Sequence, residues 1–177
     1  MKVNNELCTY HGNLMVIHSQ GVFIQGSAGI GKSKLALDLL DRGHQLIADD
    51  CIEIYRRTHQ LIGRAPKQGR NYLWLPTLGL LDIPLLFGKK AVKKSTPIHC
   101  LIKLIPPSSQ EKEISRDPLS SNPCEMVDIL GVSLPSFSIP IHSHQNLALW
   151  VETWVRIQTL SKKHHCLLYT SPSPRDS

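Results

Sequence analysis

Apolar and polar positions alternate in a readable way through the first third of the chain. Val22-Phe23-Ile24 is an unbroken apolar run of strand length, followed by a glycine-rich stretch. From Lys34 to Asp41, Leu35, Ala36, Leu39 and Leu40 recur at helical spacing, and Gly43 stands where a helix C-terminal glycine is expected. Leu46-Ile47-Ala48 running into Asp49-Asp50 predicts a second strand. Ile52 and Ile54, alternating with Glu53 and Tyr55, predict a third, with Thr58-His59-Gln60 turning the chain back into Leu61-Ile62-Gly63. Further strands are expected near Leu78 to Ile83, His99 to Ile105 and Phe137 to Ile141, and a helix from about Asn146 to Leu160. Pro106 through Pro123 is polar and proline-containing, the composition of a long loop.

The stretch between the first strand and the first helix reads Gly26-Ser27-Ala28-Gly29-Ile30-Gly31-Lys32-Ser33, a full match to G-x-x-x-x-G-K-[ST]. The three glycines let backbone amides turn inward as a nest of donors for phosphate oxygens, and the helix start adds its partial positive charge. Lys32 brings a full charge toward the β- and γ-phosphates, and the Ser33 hydroxyl suits magnesium. The motif therefore predicts a phosphate loop for a nucleoside triphosphate, ATP with Mg2+. One strand later, Asp49 and Asp50 are expected on opposite faces of their strand, one toward magnesium and one toward an acceptor hydroxyl.

At 177 residues and 41% apolar, the chain is of single-domain size. It has no apolar run of membrane-span length, and its amino terminus lacks a signal-peptide pattern, so no membrane partner and a cytoplasmic location are expected. The net charge of +6 comes with basic clusters at Arg56-Arg57, Lys89-Lys90 with Lys93-Lys94, and Lys162-Lys163. No aromatic residues are interleaved with them, so they read as solvated surface and no nucleic-acid partner is expected. Cys8, Cys51, Cys100, Cys124 and Cys166 are scattered as free thiols. The pairs His142 with His144 and His164 with His165 lack further ligands and read as incidental. Residues 1–165 form the expected domain. Residues 166–177, ending in Ser171-Pro172-Ser173-Pro174, resemble translated read-through of a sequencing adapter; they are expected to be a disordered, non-native tail, with the native carboxyl terminus missing.

Gly21 to Ile54, with the loop motif, the Asp41-Arg42-Gly43-His44 turn and Leu46 to Asp50, resembles the C-terminal catalytic domain of HPr kinase/phosphorylase. The likeness extends to Tyr10-His11-Gly12, Leu78-Gly79-Leu80, Leu86-Phe87-Gly88, and Asn146-Leu147-Ala148 with Glu152. It implies an α/β fold, a P-loop HPr kinase-type domain whose mixed β-sheet is flanked by helices. It implies an ATP-dependent serine protein kinase acting on an HPr-like phosphocarrier, assembled as a hexamer. His11, Lys32, Asp50 and Arg116 take the catalytic positions. Gly26 through Ser33 bind nucleotide, and Ser33 and Asp49 support the metal.

Three departures qualify this. Leu73-Trp74-Leu75-Pro76-Thr77 replaces a family segment with a metal-binding glutamate and an arginine, and Trp74 reads as a core-filling residue. His144-Gln145 replaces a Gly-Arg pair linked to phosphorolysis, which points to weak or absent reversal. The family's separate amino-terminal domain is expected to be missing, as in short single-domain forms. These departures keep two alternatives open: a nucleotide-binding regulatory module with degenerate catalysis, or a P-loop small-molecule kinase.

Overall fold

The computed structural model describes residues 6–107, 125–142 and 145–170, with backbone alone over 162–170. In chain order the strands are β1 (Cys8–His11), β2 (Asn13–Ile17), β3 (Gln20–Gln25), β4 (Gln45–Ala48), β5 (Cys51–Arg57) and β6 (Gln60–Arg64). They continue as β7 (Tyr72–Leu75), β8 (Gly79–Asp82), β9 (Ser95–Pro97), β10 (Cys100–Ile105), β11 (Glu125–Ile129) and β12 (Val132–Pro140). The helices are α1 (Lys32–Asp41), α2 (Ile83–Phe87) and α3 (Leu147–Thr170).

The strands form a six-stranded mixed sheet, a four-stranded antiparallel sheet and a hairpin. The large sheet has the order β11-β12-β10-β3-β2-β4, with β3, β10 and β12 parallel to one another. The smaller sheet is β1-β5-β6-β9, and among the described residues β7 pairs with β8 alone.

Alternation along the central strands divides the core in two. Met15, Ile17, Val22, Ile24 and Ile102 face α1 and α3, packing on Leu35, Leu39, Val151 and Val155. Their neighbours Leu14, Val16, Phe23 and Leu101 face the small sheet, packing on Ile52, Ile54 and Leu61. The large sheet is thus the middle layer of three, which is why Asn13–Ile17 is buried at every position and shows no amphipathic period. That lack of period also hides β2 from a pattern-based reading.

The predicted strand, loop and helix of the first third are present. Gly43 ends α1 at φ +93°, with Gly43 N–H donating to Leu40 O (3.0 Å) and His44 N–H to Leu39 O (3.1 Å), the paired bonds of a Schellman motif. The Leu78 to Ile83 segment is a strand only to Asp82, whose carboxylate then caps α2 through Leu85 N–H at 3.1 Å. The last helix starts on the Asn146 side chain, which accepts from Leu149 N–H at 3.2 Å, and continues through Thr170. Most of the long loop expected before Pro123, Arg116 within it, and His144 lie outside the described residues.

Among the described residues no helix is long and apolar enough to cross a membrane. Among the described residues Cys8, Cys51 and Cys100 form no disulfide.

Candidate functional site

The chain passes between the two large sheets at adjacent corners. At Gly12 it leaves β1 of the small sheet for β2 of the large one; between Ala48 and Cys51 it returns from β4 to β5. Because β1 pairs with β5 (His11 opposite Cys51) and β2 with β4 (Leu14 opposite Ala48), the two corners lie side by side. Gly12 N–H donates to Asp50 O at 2.9 Å and ties them together. A Cβ at Gly12 would stand 2.6 Å from Ile24 O, so this close approach requires glycine.

The glycine loop leaves the C-terminal end of β3 beside these corners. That is the end of a parallel set where open α/β sheets hold their ligands. Gly29 and Gly31 have φ of +79° and +116°, with open space where a Cβ would sit, so glycine here serves backbone conformation rather than packing. Lys32 is buried and folds its ammonium over the loop, Nζ donating to Gly26 O at 2.6 Å and Ser27 O at 3.1 Å. With Asn13, Ser33, Asp49 and Trp74 it lines a cavity of about 390 Å3.

Asp49 organises the floor of that cavity. Its Oδ1 accepts from the Ser33 hydroxyl at 2.9 Å and from Asn13 Nδ2 at 3.0 Å; its Oδ2 accepts from Trp74 N–H at 3.0 Å. Asn13, fully buried, also accepts from Asp50 N–H on its Oδ1 at 3.1 Å. Both ends of one amide therefore fix both aspartates. At the rim, Asp50 Oδ1 lies 3.2 Å from His11 Nδ1, with both side chains open to solvent.

The two aspartates are separated differently from the expectation. The strand stops at Ala48, so alternation along a strand does not apply. Instead Asp50 sits at φ +67° in a γ-turn closed by Cys51 N–H on Asp49 O at 2.7 Å. Asp tolerates this region better than most residues, and the turn sends the Asp49 carboxylate inward and the Asp50 carboxylate to the rim. Burial, with the Asp50 and Glu53 carboxylates nearby, pushes the Cys51 thiol up.

Comparison with known proteins bears on this arrangement. The profile described as HPr Serine kinase C-terminal domain matches residues 4–169. The chain belongs to that family. Among its relatives, the HPr kinase/phosphorylase of Caldicellulosiruptor bescii is 39% identical over 145 residues, covering 81% of this chain and 45% of the relative. That of Ralstonia pickettii is 38% identical over 149 residues, covering 84% and 44%. The chain thus spans less than half the length of these curated relatives. The solved structure of the Hpr(Ser) kinase/phosphatase from Coxiella burnetii superposes with a TM-score of 0.79 at 40% identity, covering 88% of this chain and 99% of that one. The fold of this HPr kinase domain is accordingly a mixed α/β sheet flanked by few helices, as the resemblance implied.

Within this family domain the structure brings together His11, Lys32, Ser33, Asp49 and Asp50, all named from the sequence. Asn13 was not named, although a lone polar residue opening an otherwise apolar run just after His11-Gly12 is a signal for a buried hydrogen-bonding role. Trp74 does not fill the core. It lies on the outward face of β7, 55% exposed, because Leu73 and Leu75 take the inward positions, and the residue lines the cavity. Pro76 follows the end of β7, so it removes no strand hydrogen bond.

A second charged cluster stands behind the first helix. Arg42 holds both Glu152 oxygens, Nε on Oε1 and Nη2 on Oε2 at 3.0 Å, while His44 Nε2 donates to Oε1 at 3.1 Å. The Arg42 hydrogen bonds hold the Glu152 carboxyl below the ordinary carboxylate range against the opposing effect of burial. The cluster ties the end of α1 to α3.

Proposed function

We propose that this domain is an ATP-dependent serine protein kinase whose acceptor is an HPr-like phosphocarrier, with magnesium at Ser33 and Asp49. The observation that carries this reading is the contact of Ser33 Oγ with Asp49 Oδ1 at 2.9 Å, one residue beyond Lys32 in a glycine loop. It sets two hard oxygen ligands beside a phosphate-sized nest, a donor set that suits Mg2+. Bound magnesium neutralises charge on the phosphates.

The chain's own residues supply the rest. Rotation about the Lys32 side-chain torsions carries its ammonium from the loop carbonyls to the β- and γ-phosphates. The amides from Gly26 to Ser33 cradle the phosphate oxygens. The solvent-facing Asp50 carboxylate accepts the proton of the incoming serine hydroxyl as the acceptor oxygen bonds to the γ-phosphorus and the bond to the β-phosphate oxygen breaks. His11, 3.2 Å away, steadies that carboxylate. Arg116 takes its catalytic role on the family resemblance alone.

The reverse, phosphorolytic direction is weak, since Gln145 stands in place of the arginine associated with it. The reaction is cytoplasmic and belongs to the regulation of sugar phosphotransferase-linked metabolism, and the assembly is a homohexamer on the same resemblance. Incubation with γ-labelled ATP and a panel containing HPr tests the reading. Label on a protein serine supports it; ATP binding without transfer favours a degenerate regulatory module; label on a metabolite favours a small-molecule kinase.

A further inference from the structure

Asn13 opens β2 directly after the Gly12 corner and is fully buried, and Leu14 to Ile17 beyond it are buried and apolar. Burying a side-chain amide costs free energy unless its hydrogen bonds are made. Holding the two corners together does not require one, because the backbone bond from Gly12 N–H to Asp50 O at 2.9 Å already does so. The Asn13 side chain serves another purpose.

Its two partners show which. Asp50 N–H can only donate, and it meets Asn13 Oδ1 at 3.1 Å; the Asp49 carboxylate accepts, and its Oδ1 meets Asn13 Nδ2 at 3.0 Å. An amide makes both bonds and adds no charge. A carboxylate at position 13 would face Asp49 as a like charge, and an aliphatic side chain would make neither bond.

We infer that Asn13 is a positioning residue for magnesium, acting through Asp49 rather than as a ligand itself. This rests on the magnesium reading above and extends it to a residue that neither the loop motif nor the family resemblance singles out.

Asp49 receives three donors. The Ser33 hydroxyl on Oδ1, at 2.9 Å, is itself assigned to the metal, while Trp74 N–H holds Oδ2 at 3.0 Å from the β7–β8 hairpin. With Ser33 given to magnesium, the carboxylate keeps one anchor on each oxygen, Asn13 on Oδ1 and Trp74 N–H on Oδ2. Two anchors on opposite oxygens fix the carboxylate plane. Without Asn13 the group pivots about the Trp74 contact, and Oδ1 is no longer held toward Ser33. Partners that orient a metal ligand in this way are worth about 10–100-fold in metal affinity. The anchor is rigid, since Asn13 is buried and its backbone pairs with Ile24 in the middle sheet.

Calorimetry of the full chain with ADP, once in EDTA and once with saturating magnesium, separates metal contacts from phosphate contacts and needs no transfer. Wild-type protein is expected to bind magnesium-ADP more tightly than ADP in EDTA. Asn13→Leu is expected to weaken magnesium-ADP by about tenfold or more while ADP in EDTA changes by less than about twofold. Asn13→Ser keeps a small polar group with little folding risk but is too short to bridge both aspartates. It is expected to show the same selective loss, and it decides the matter if Asn13→Leu lacks a cooperative thermal melt. Equal losses with and without magnesium would make Asn13 a support of the fold or of the phosphate loop and overturn the inference. Unchanged magnesium-ADP affinity in the variants overturns it too, and either result leaves the magnesium reading standing. Wild-type protein that gains nothing from magnesium overturns the assignment of the metal to Ser33 and Asp49, and this inference with it.

Discussion

Lys32 and Asp50 carry the clearest consequences at the scale of single residues. The Lys32 ammonium closes the loop on itself through Gly26 O and Ser27 O, so Lys32→Ala removes both a ligand charge and an internal brace. Charge-assisted hydrogen bonds contribute about 1.5–3 kcal/mol, which predicts a fall in ATP affinity of about 10–100-fold with loss of transfer. Calorimetry with magnesium-ATP measures it, and unchanged affinity would remove the loop from nucleotide binding. For Asp50 the informative change is to Asn, which tolerates positive φ and so keeps the γ-turn; Ala or Val would add backbone strain to any catalytic effect. Asp50→Asn is expected to bind ATP normally and to lower transfer by about 10²–10⁴-fold, the range for loss of a general base. Single-turnover phosphorylation at saturating ATP is the measurement; a wild-type rate would take Asp50 out of the mechanism.

At the scale of elements, the β7–β8 hairpin bears most directly on the site. Its Trp74 amide holds Asp49 Oδ2, and that backbone contact survives any side-chain substitution at the position. Trp74 lines the cavity with Ser33 and Asp49, so Trp74→Glu adds a carboxylate-bearing residue to that lining. Magnesium takes one or two carboxylates and keeps several waters, hence the wild type is expected to work with a weakly held metal. Trp74→Glu should then lower the magnesium concentration giving half-maximal transfer. Transfer rate titrated against magnesium checks this, alone and combined with Pro76→Arg; no shift in either variant would mean that the hairpin side chains do not reach the metal. With a tryptophan in place of a carboxylate, the sequence expectation for position 74 is a core-filling side chain. The two-residue alternation of β7 decided otherwise, and alternation cannot be assigned until the strand's inward face is known.

For the whole molecule, the cluster of Arg42, His44 and Glu152 joins the glycine-loop helix to the last one. His18 approaches it from the β2–β3 turn, its ring 4.9 Å from that of His44, and Arg156 Nε donates to His18 Nε2 at 3.2 Å. Burial, then the neighbouring His44 and Arg156, lowers the His18 pKa, while Arg42 lowers that of Glu152. In both cases the unfolded chain binds the proton more readily, so stability rises with pH. Acidification should therefore lower the melting temperature, beginning below the ordinary histidine value of about 6.5 and steepening below the ordinary carboxylate value of about 4.3. Glu152→Gln should cost about 2 kcal/mol at neutral pH and make the acid limb shallower. The cost stays under the 3–5 kcal/mol for breaking a fully buried pair because Arg42 reaches solvent. Thermal melts from pH 7 down to about pH 2 test both parts, since the carboxylate limb lies below its ordinary value of about 4.3; an equally steep acid limb in the variant would exclude Glu152 as its source.

What the sequence determined by itself is local. Gly26 through Ser33 declare their loop because turning the backbone there requires glycine and the chemistry requires Lys32 and Ser33, all within eight contiguous residues. The helix after it and its end at Gly43 were legible for the same reason. The role proposed for His11 came through family resemblance, since no short-range pattern marks it, whereas the paired carboxylates of Asp49 and Asp50 closing an apolar strand were legible locally and resemblance only assigned which does what. Tertiary structure alone decided which groups meet. Asn13 reaches Asp49 and Asp50 because two corners between sheets lie side by side, and Trp74 offers its amide across 25 residues. Such contacts follow from strand order and register, which depend on burying both faces of the middle sheet at once, and that requirement has no signature in any short stretch of the chain.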